Sequence, residues 1–213
     1  MKLPDFNRAF QNGADFAQEG AAPFTVYTHI VGKLHLPSGK IVACDPLVFP
    51  DQKPYKGKVA PGTYPVLLSI ARFRTKRNDR DERIACAMLR FTIRPAVKWK
   101  MALCPRQSLK ALKADHHYGY AVDSGTGCFM DAQAGKALRR EMDRSGNYVD
   151  NIVEAMKFNY QRTRDWTLFL IGSSEQTLAA FTTGWGDGRY GSYWGLDATG
   201  KEACLVTDFG VLP

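Results

Sequence analysis

Helical periodicity is confined in this chain to one block, residues 131–160, and a short amphipathic stretch at the N-terminus. Nearly everything else is short β-branched and aromatic runs broken by Gly, Pro, Asn and Asp. That arrangement constrains the fold more than any other feature. A parallel sheet needs a helical crossover between successive strands, and no strand–helix alternation supplies one. Antiparallel pairing is what remains.

Phe6, Phe10 and Phe16 fall near one face of a helix over the first twenty residues, weakened by Gly13 and ended by Pro23. Residues 24–36 and 41–44 flank the turn sequence PSGK and read as a hairpin. Residues 64–73 and 84–93 read as antiparallel partners across a basic loop, with a further short strand at 99–103. Residues 119–123 and 128–130 flank SGTG, a second hairpin signal. Asp131 is a good N-cap for a helix over 132–142. Asn147 would cap a second, whose Val149, Ile152, Val153, Met156 and Tyr160 make an apolar stripe. Strands return at 166–171, 177–182, 190–196 and 202–208. The expected class is α+β: mainly antiparallel β, a sandwich or half-barrel, with one or two helices grouped at about 131–160 and a short N-terminal helix. Residues 1–213 read as a single domain.

A chain of 213 residues buries roughly 70% of the surface its unfolded form exposes, enough for a core without staples. With 45% hydrophobic and 23% charged residues it has an ordinary globular composition, not that of a disordered chain. Its five cysteines include no C-x-x-C pair, and three sit in apolar runs, which predicts buried thiols in a reducing compartment. No apolar run approaches the ~18 residues of a membrane span, and the N-terminus lacks the apolar core of a signal peptide. The expected location is the cytoplasm, with no membrane partner.

Lys and Arg number 29 against 21 Asp and Glu, a net +8, which favours an acidic partner. Much of the excess lies in residues 72–83 and 98–113. In the first, Asp79, Asp81 and Glu82 offset part of the charge, as in a solvated loop; contact with nucleic acid is the less favoured alternative.

Two groups of residues could carry chemistry. Asp45, Asp123, Asp197 and Asp208 each end a strand, and Asp131 and Asp187 also stand at element ends. Converging carboxylates would suit Ca2+, Mg2+ or Mn2+. Asp also starts turns by accepting from its own following backbone. Asp197 with Gly200 fits a type I turn, Asp187 with Gly188 a hairpin turn, and Asp131 a helix cap. Asp45 and Asp208 are least explained that way, so Asp45, Asp123 and Asp208 form the candidate metal set. The second group is residues 183–197, TGWGDGRYGSYWGLD, with five glycines and four aromatics. Trp185, Asp187, Arg189, Tyr190, Tyr193 and Trp194 there could contact a sugar, a base or a protein; a tight hairpin whose aromatics cover a sheet is the alternative.

Other matches do not hold. GDGRYG fits G-x-G-x-x-G as a string but lacks a strand–loop–helix context. Asp208-Phe-Gly lacks the preceding H-R-D loop of a kinase. Cys128 with His116 or His117 would need a spatial contact for nucleophilic catalysis; a strand thiol and a loop His pair is the simpler reading.

Several segments together resemble an uncharacterised, largely bacterial family catalogued as a domain of unknown function: residues 39–46 (GKIVACDP), 59–66 (VAPGTYPV), 119–131 (GYAVDSGTGCFMD), 184–188 (GWGDG) and 206–209 (VTDF). The resemblance covers the chain from about residue 25 onward. It implies one domain with recurring Asp, Gly and aromatic positions, here Asp45, Asp123, Asp131, Trp185, Asp187 and Asp208. It also implies a neighbourhood of toxin–immunity loci.

Two functions follow as expectations. One is a cytosolic protein-binding module, such as an immunity-type antagonist of a bacterial toxin, contacting its partner through residues 185–194 and steered by the basic loop. The other is a divalent-metal hydrolase of a phosphorylated or nucleotide-like substrate, with Asp45, Asp123 and Asp208 holding the ion.

Overall fold

A computed structural model describes residues 3–17, 20, 22–74, 81–113, 116–161 and 163–213. Among them, thirteen strands and three α-helices follow in chain order: α1 (Phe6–Ala9), β1 (Asp15–Phe16), β2 (Phe24–Leu36), β3 (Ile41–Cys44), β4 (Gly62–Phe73), β5 (Glu82–Arg90), β6 (Lys98–Met101), β7 (Tyr120–Val122), β8 (Thr126–Asp131), α2 (Ala132–Arg144), α3 (Tyr148–Lys157), β9 (Trp166–Leu170), β10 (Thr177–Thr182), β11 (Gly188–Tyr190), β12 (Ser192–Leu196) and β13 (Glu202–Asp208). The class is α+β, and the strand pairings are antiparallel.

One sheet has the order β1-β2-β4-β5-β13-β12-β6, a second β3-β8-β10-β9, and β11 pairs β7 in a small ladder. The two larger sheets pack face to face. Because strand side chains alternate between faces, Val66, Leu68 and Ile70 of β4 and Phe129 and Phe181 of β8 and β10 meet in the shared core. Leu67 and Ala71 of the same β4 point outward, under a cover of Phe6, Ala9 and Phe16 from the N-terminal segment and Val211 and Leu212 from the C-terminal one. Val42, Cys44, Cys128, Met130, Leu178 and Ala180 point outward from the second sheet, beneath α2 and α3. Four layers result: terminal segments, large sheet, small sheet, helix pair. All five cysteines are free and buried.

The large sheet curls as a half-barrel. Register shifts interrupt β2 between Ile30 and Gly32, β4 and β5 at Ser69/Ile70, and β12 at Gly195/Leu196. Such bulges bend a strand and raise its twist. The one on β5 also changes side-chain phase: Ile84 and Leu89 both face the shared core, while Ala85, Cys86 and Met88 face outward.

Three expectations need correction. The N-terminal helix is only Phe6–Ala9, after which the chain turns at Gly13 (φ +82°) and adds β1 to the sheet edge. The sequence at 37–40 joins no hairpin: β2 pairs β4, and β3 pairs β8 in the other sheet. The buried Asp131 carboxylate accepts the Ser38 amide at 3.0 Å and its hydroxyl at 2.8 Å, and a Cβ on Gly39 (φ +67°) would lie 2.1 Å from the Val59 carbonyl oxygen. This makes residues 37–40 a corner between sheets. Residues 123–125 form a second corner, since β7 pairs β11 while β8 pairs β3 and β10.

The helix pair follows its sequence signals in part: of the expected stripe on α3, Ile152 and Met156 are buried and Val153 is exposed. Asp131 caps α2 by accepting the Gln133 amide at 2.8 Å. Asn147 stands at the N-cap of α3 without a side-chain cap bond, and Tyr160 lies beyond the helix end.

Candidate functional site

The six strand-end aspartates occupy different surroundings. Asp45 is fully buried, and its carboxylate accepts four backbone N–H groups: Leu47 and Val48 at 2.9 and 3.1 Å, Asp123 and Ser124 at 3.0 and 2.9 Å. It is thus a staple between the end of β3 and the 123–125 corner. Turn chemistry explains it after all; the second pair of amides comes from far along the chain, where no local pattern reveals it. The Asp123 side chain is exposed. Asp208 is half-buried and accepts the Gly210 amide at 2.9 Å. Asp187 accepts the Gly125 amide at 3.0 Å. Asp197 makes its turn as expected, with the Gly200 amide bonded to its carbonyl at 2.9 Å. A hydrogen bond from the Thr199 hydroxyl, with the Lys201 and Thr199 amides and Arg94, holds its carboxyl at about 2. The structure does not gather Asp45, Asp123 and Asp208 into one ligand set. Among the described residues no three His, Cys, Asp or Glu side chains are placed to hold an ion together.

The aromatic segment 183–197 divides sharply. Tyr190, Tyr193 and Trp194 are buried, at 8%, 3% and 8% exposure, whereas Trp185 is 56% exposed. Tyr193 and Trp194 lie on β12, where successive residues face opposite sides of a sheet covered on both faces, whereas Trp185 lies on a turn between β10 and β11. Trp194 enters the shared core beside Phe91 and Tyr55, and Tyr193 packs against Phe6 on the outer face. Tyr193 and Trp194 are therefore core residues rather than contact residues. The exposed members are Trp185, Asp187 and Arg189.

Trp185 stands on a tightly held turn. The Gly186 amide donates to the Thr183 carbonyl at 2.6 Å, while the Gly186 carbonyl accepts the Thr183 and Tyr190 hydroxyls at 2.7 and 2.6 Å. Gly184 (φ +38°) is pressed so closely against Phe209 and Val211 that a Cβ would lie 2.9 Å from both. The indole is braced by the Phe73 ring at 5.6 Å and the Arg83 guanidinium at 5.1 Å. Phe73 and Arg83 are contacts that sequence reasoning missed; they end β4 and open β5, with nothing local to link them to residue 185. Residues 75–80 of the basic loop lie outside the described residues.

A cavity of about 280 Å³ is lined by His117, Arg189, Tyr193 and Asp208, closed by residues near both chain ends, Pro4 and Leu212. His117 Nε2 lies 3.1 Å from the Arg189 carbonyl oxygen, and Arg189 donates to the Gly119 carbonyl at 3.0 Å. Burial pushes the Asp208 carboxyl up from its ordinary value, opposed by the Gly210 amide and the His117 charge. Burial, with the Asp208 charge, pushes the Tyr193 hydroxyl up to about 12. Asp208 is thus a wall of this cavity. Cys128, by contrast, sits at 0% exposure in the core beneath the helices, 3.6 Å from the Cys44 sulfur.

Among the described residues no helix is long and apolar enough to cross a membrane. No curated protein and no solved structure shows a match to the chain. Residues 34–207, which run from the end of β2 into β13 and take in the whole of the smaller sheet and all of the larger one but β1 and most of β2, match the family described as "Protein of unknown function (DUF4241)", and the chain belongs to that family.

Proposed function

We propose that the protein is a cytosolic protein-binding module that anchors an acidic partner through Trp185. The observation that carries this reading is the half-exposed indole on a turn fixed by three short hydrogen bonds and braced by Phe73 and Arg83. Tryptophan and arginine dominate binding hot spots, and an anchor already held in place loses little entropy on association. Exposed Arg189 and the net charge of +8 steer an acidic surface toward the site. The family resemblance suggests an immunity-type antagonist of a toxin as the form this takes. Acidic mimicry of nucleic acid, the usual device against nucleases, does not fit the basic charge.

The test is retrieval by tagged protein from the native host, with one stoichiometric partner as the expected result. Trp185→Ala weakens that complex by at least ~30-fold, about 2 kcal/mol, with an unchanged melting temperature. Equal retention by Trp185→Ala, or no stoichiometric partner, contradicts the proposal.

A further inference from the structure

An open groove of about 900 Å³ lies between α2, the loop 50–61 and the corner at 37–40, and it shares no residue with the Trp185 turn. Its volume falls in the range of small-molecule sites, about 300–1,000 Å³. Gln133, Lys136 and Arg140, spaced i, i+3 and i+7, share one face of α2 and form one wall. Lys53 and Lys58 stand on the loop, and Lys40 on the corner.

The charge is one-sided. Six cationic side chains line the groove, Arg139 being the sixth, against one carboxylate, Asp51. Arg139 takes up that carboxylate at 2.8 Å. Among the described residues the other five cations have no carboxylate within ion-pair distance. Like charges gathered from three separate elements repel one another, and a cleft lined by one sign concentrates the opposite ion.

The groove is also preformed. Pro37, Pro50, Pro54 and Pro61 stand in its walls with fixed φ. The loop is tied to the corner by the Tyr55 amide on the Ile41 carbonyl at 2.9 Å and the Val59 amide on the Gly39 carbonyl at 3.0 Å. The prolines, with Val42, Ala132 and Gly135, give an apolar lining beneath a cationic rim.

We propose that this groove binds a small ligand carrying two or more phosphates on an apolar or planar body, the chemistry of a nucleoside di- or triphosphate. A lone carboxylate would be satisfied by one arginine; five cations without a carboxylate partner among the described residues match a polyphosphate. The apolar lining receives the body of the ligand.

Titration calorimetry on the full chain tests this with four probes: ATP, inorganic tripolyphosphate, adenosine and a single-stranded oligonucleotide. ATP and tripolyphosphate bind with a stoichiometry of one, ATP the tighter, with affinity falling as salt rises; adenosine alone does not bind measurably. The exposed pair Lys136→Gln and Arg140→Gln together reduce ATP affinity at least ~30-fold, about 2 kcal/mol, with the melting temperature unchanged. Absence of binding by ATP and tripolyphosphate overturns the proposal, as does binding that ignores the double variant. Preference for the oligonucleotide over ATP overturns it in favour of a nucleic-acid surface. None of these outcomes involves a protein partner, so they leave the Trp185 reading separately testable.

Discussion

At the scale of single residues, the clearest lesson is what a buried carboxylate does when it is surrounded by amides. Asp45 accepts four N–H bonds from two loops, and each such bond to a charged acceptor contributes about 1.5–3 kcal/mol. Asp45→Asn would turn a donor toward one of these amide pairs. It is expected to lower stability by about 3 kcal/mol, a fall in melting temperature of roughly 6–12 °C. The fall is the same in EDTA and with Ca2+, Mg2+ or Mn2+ added, because the role is structural; a fall seen only with an ion present would restore Asp45 as a ligand. The sequence showed that Asp45 ended a strand and that Asp131 and Asp197 fitted a cap and a turn. It could not show that the 123–124 amides meet Asp45, since sequence separation hides that contact. Trp185 and Trp194 illustrate the same limit. Both stand in one glycine-rich run, but Trp194 lies on β12, paired on both sides by β13 and β6, and is buried, whereas Trp185 lies on a turn outside the strands and is exposed.

At the scale of elements, local signals were informative where the structure is local. The α2 N-cap, both helices and most strands were legible from periodicity and capping. Which strand pairs with which was not. PSGK and SGTG carry turn chemistry that serves a hairpin and a corner equally well, and the choice rests on long-range partners such as Ser38 with Asp131. The β5 bulge shifts the side-chain phase by one residue, so strict alternation misassigns its later positions. Glu82, at the start of β5, was read only as a charge in a solvated loop. It is buried, and its carboxylate holds Arg72 of the neighbouring β4 at 2.6 Å and Arg164, just before β9 of the other sheet, at 2.7 Å. Burial raises this carboxyl, and the bonds from Arg72 and Arg164 more than offset it, so its pKa lies below the ordinary value. A lowered carboxylate pKa contributes stability that is present above the unfolded-state value and lost as pH falls through the folded one. Glu82→Gln leaves Arg164 largely buried without its counter-charge, a loss of about 3 kcal/mol at neutral pH. Denaturant unfolding across pH should show the gap from the unsubstituted protein closing below pH ~4. A gap independent of pH would assign the loss to packing instead.

At the scale of the whole molecule, the four layers leave the two proposed binding surfaces on separate parts of the fold. One carries Trp185, beside the ends of β4 and β5; the other is the cationic groove along α2. The fold class was legible because an antiparallel sheet is the only economical use of many short strands with few helices. The order of the layers was not, because it depends on chain ends folding over the large sheet and helices over the small one. The net charge was legible, and the structure distributes part of it into a groove that no linear run of basic residues announced: its cations come from positions 40, 53, 58, 136, 139 and 140. On the proposed function, a protein partner is held through the Trp185 turn. Hydrogen exchange on the protein alone and in its isolated stoichiometric complex tests it most directly. The expected result is new protection over residues 183–189 and at Phe73 and Arg83, with α3 unchanged. Protection confined to another face, with the Trp185 turn exchanging as in the free protein, would contradict it.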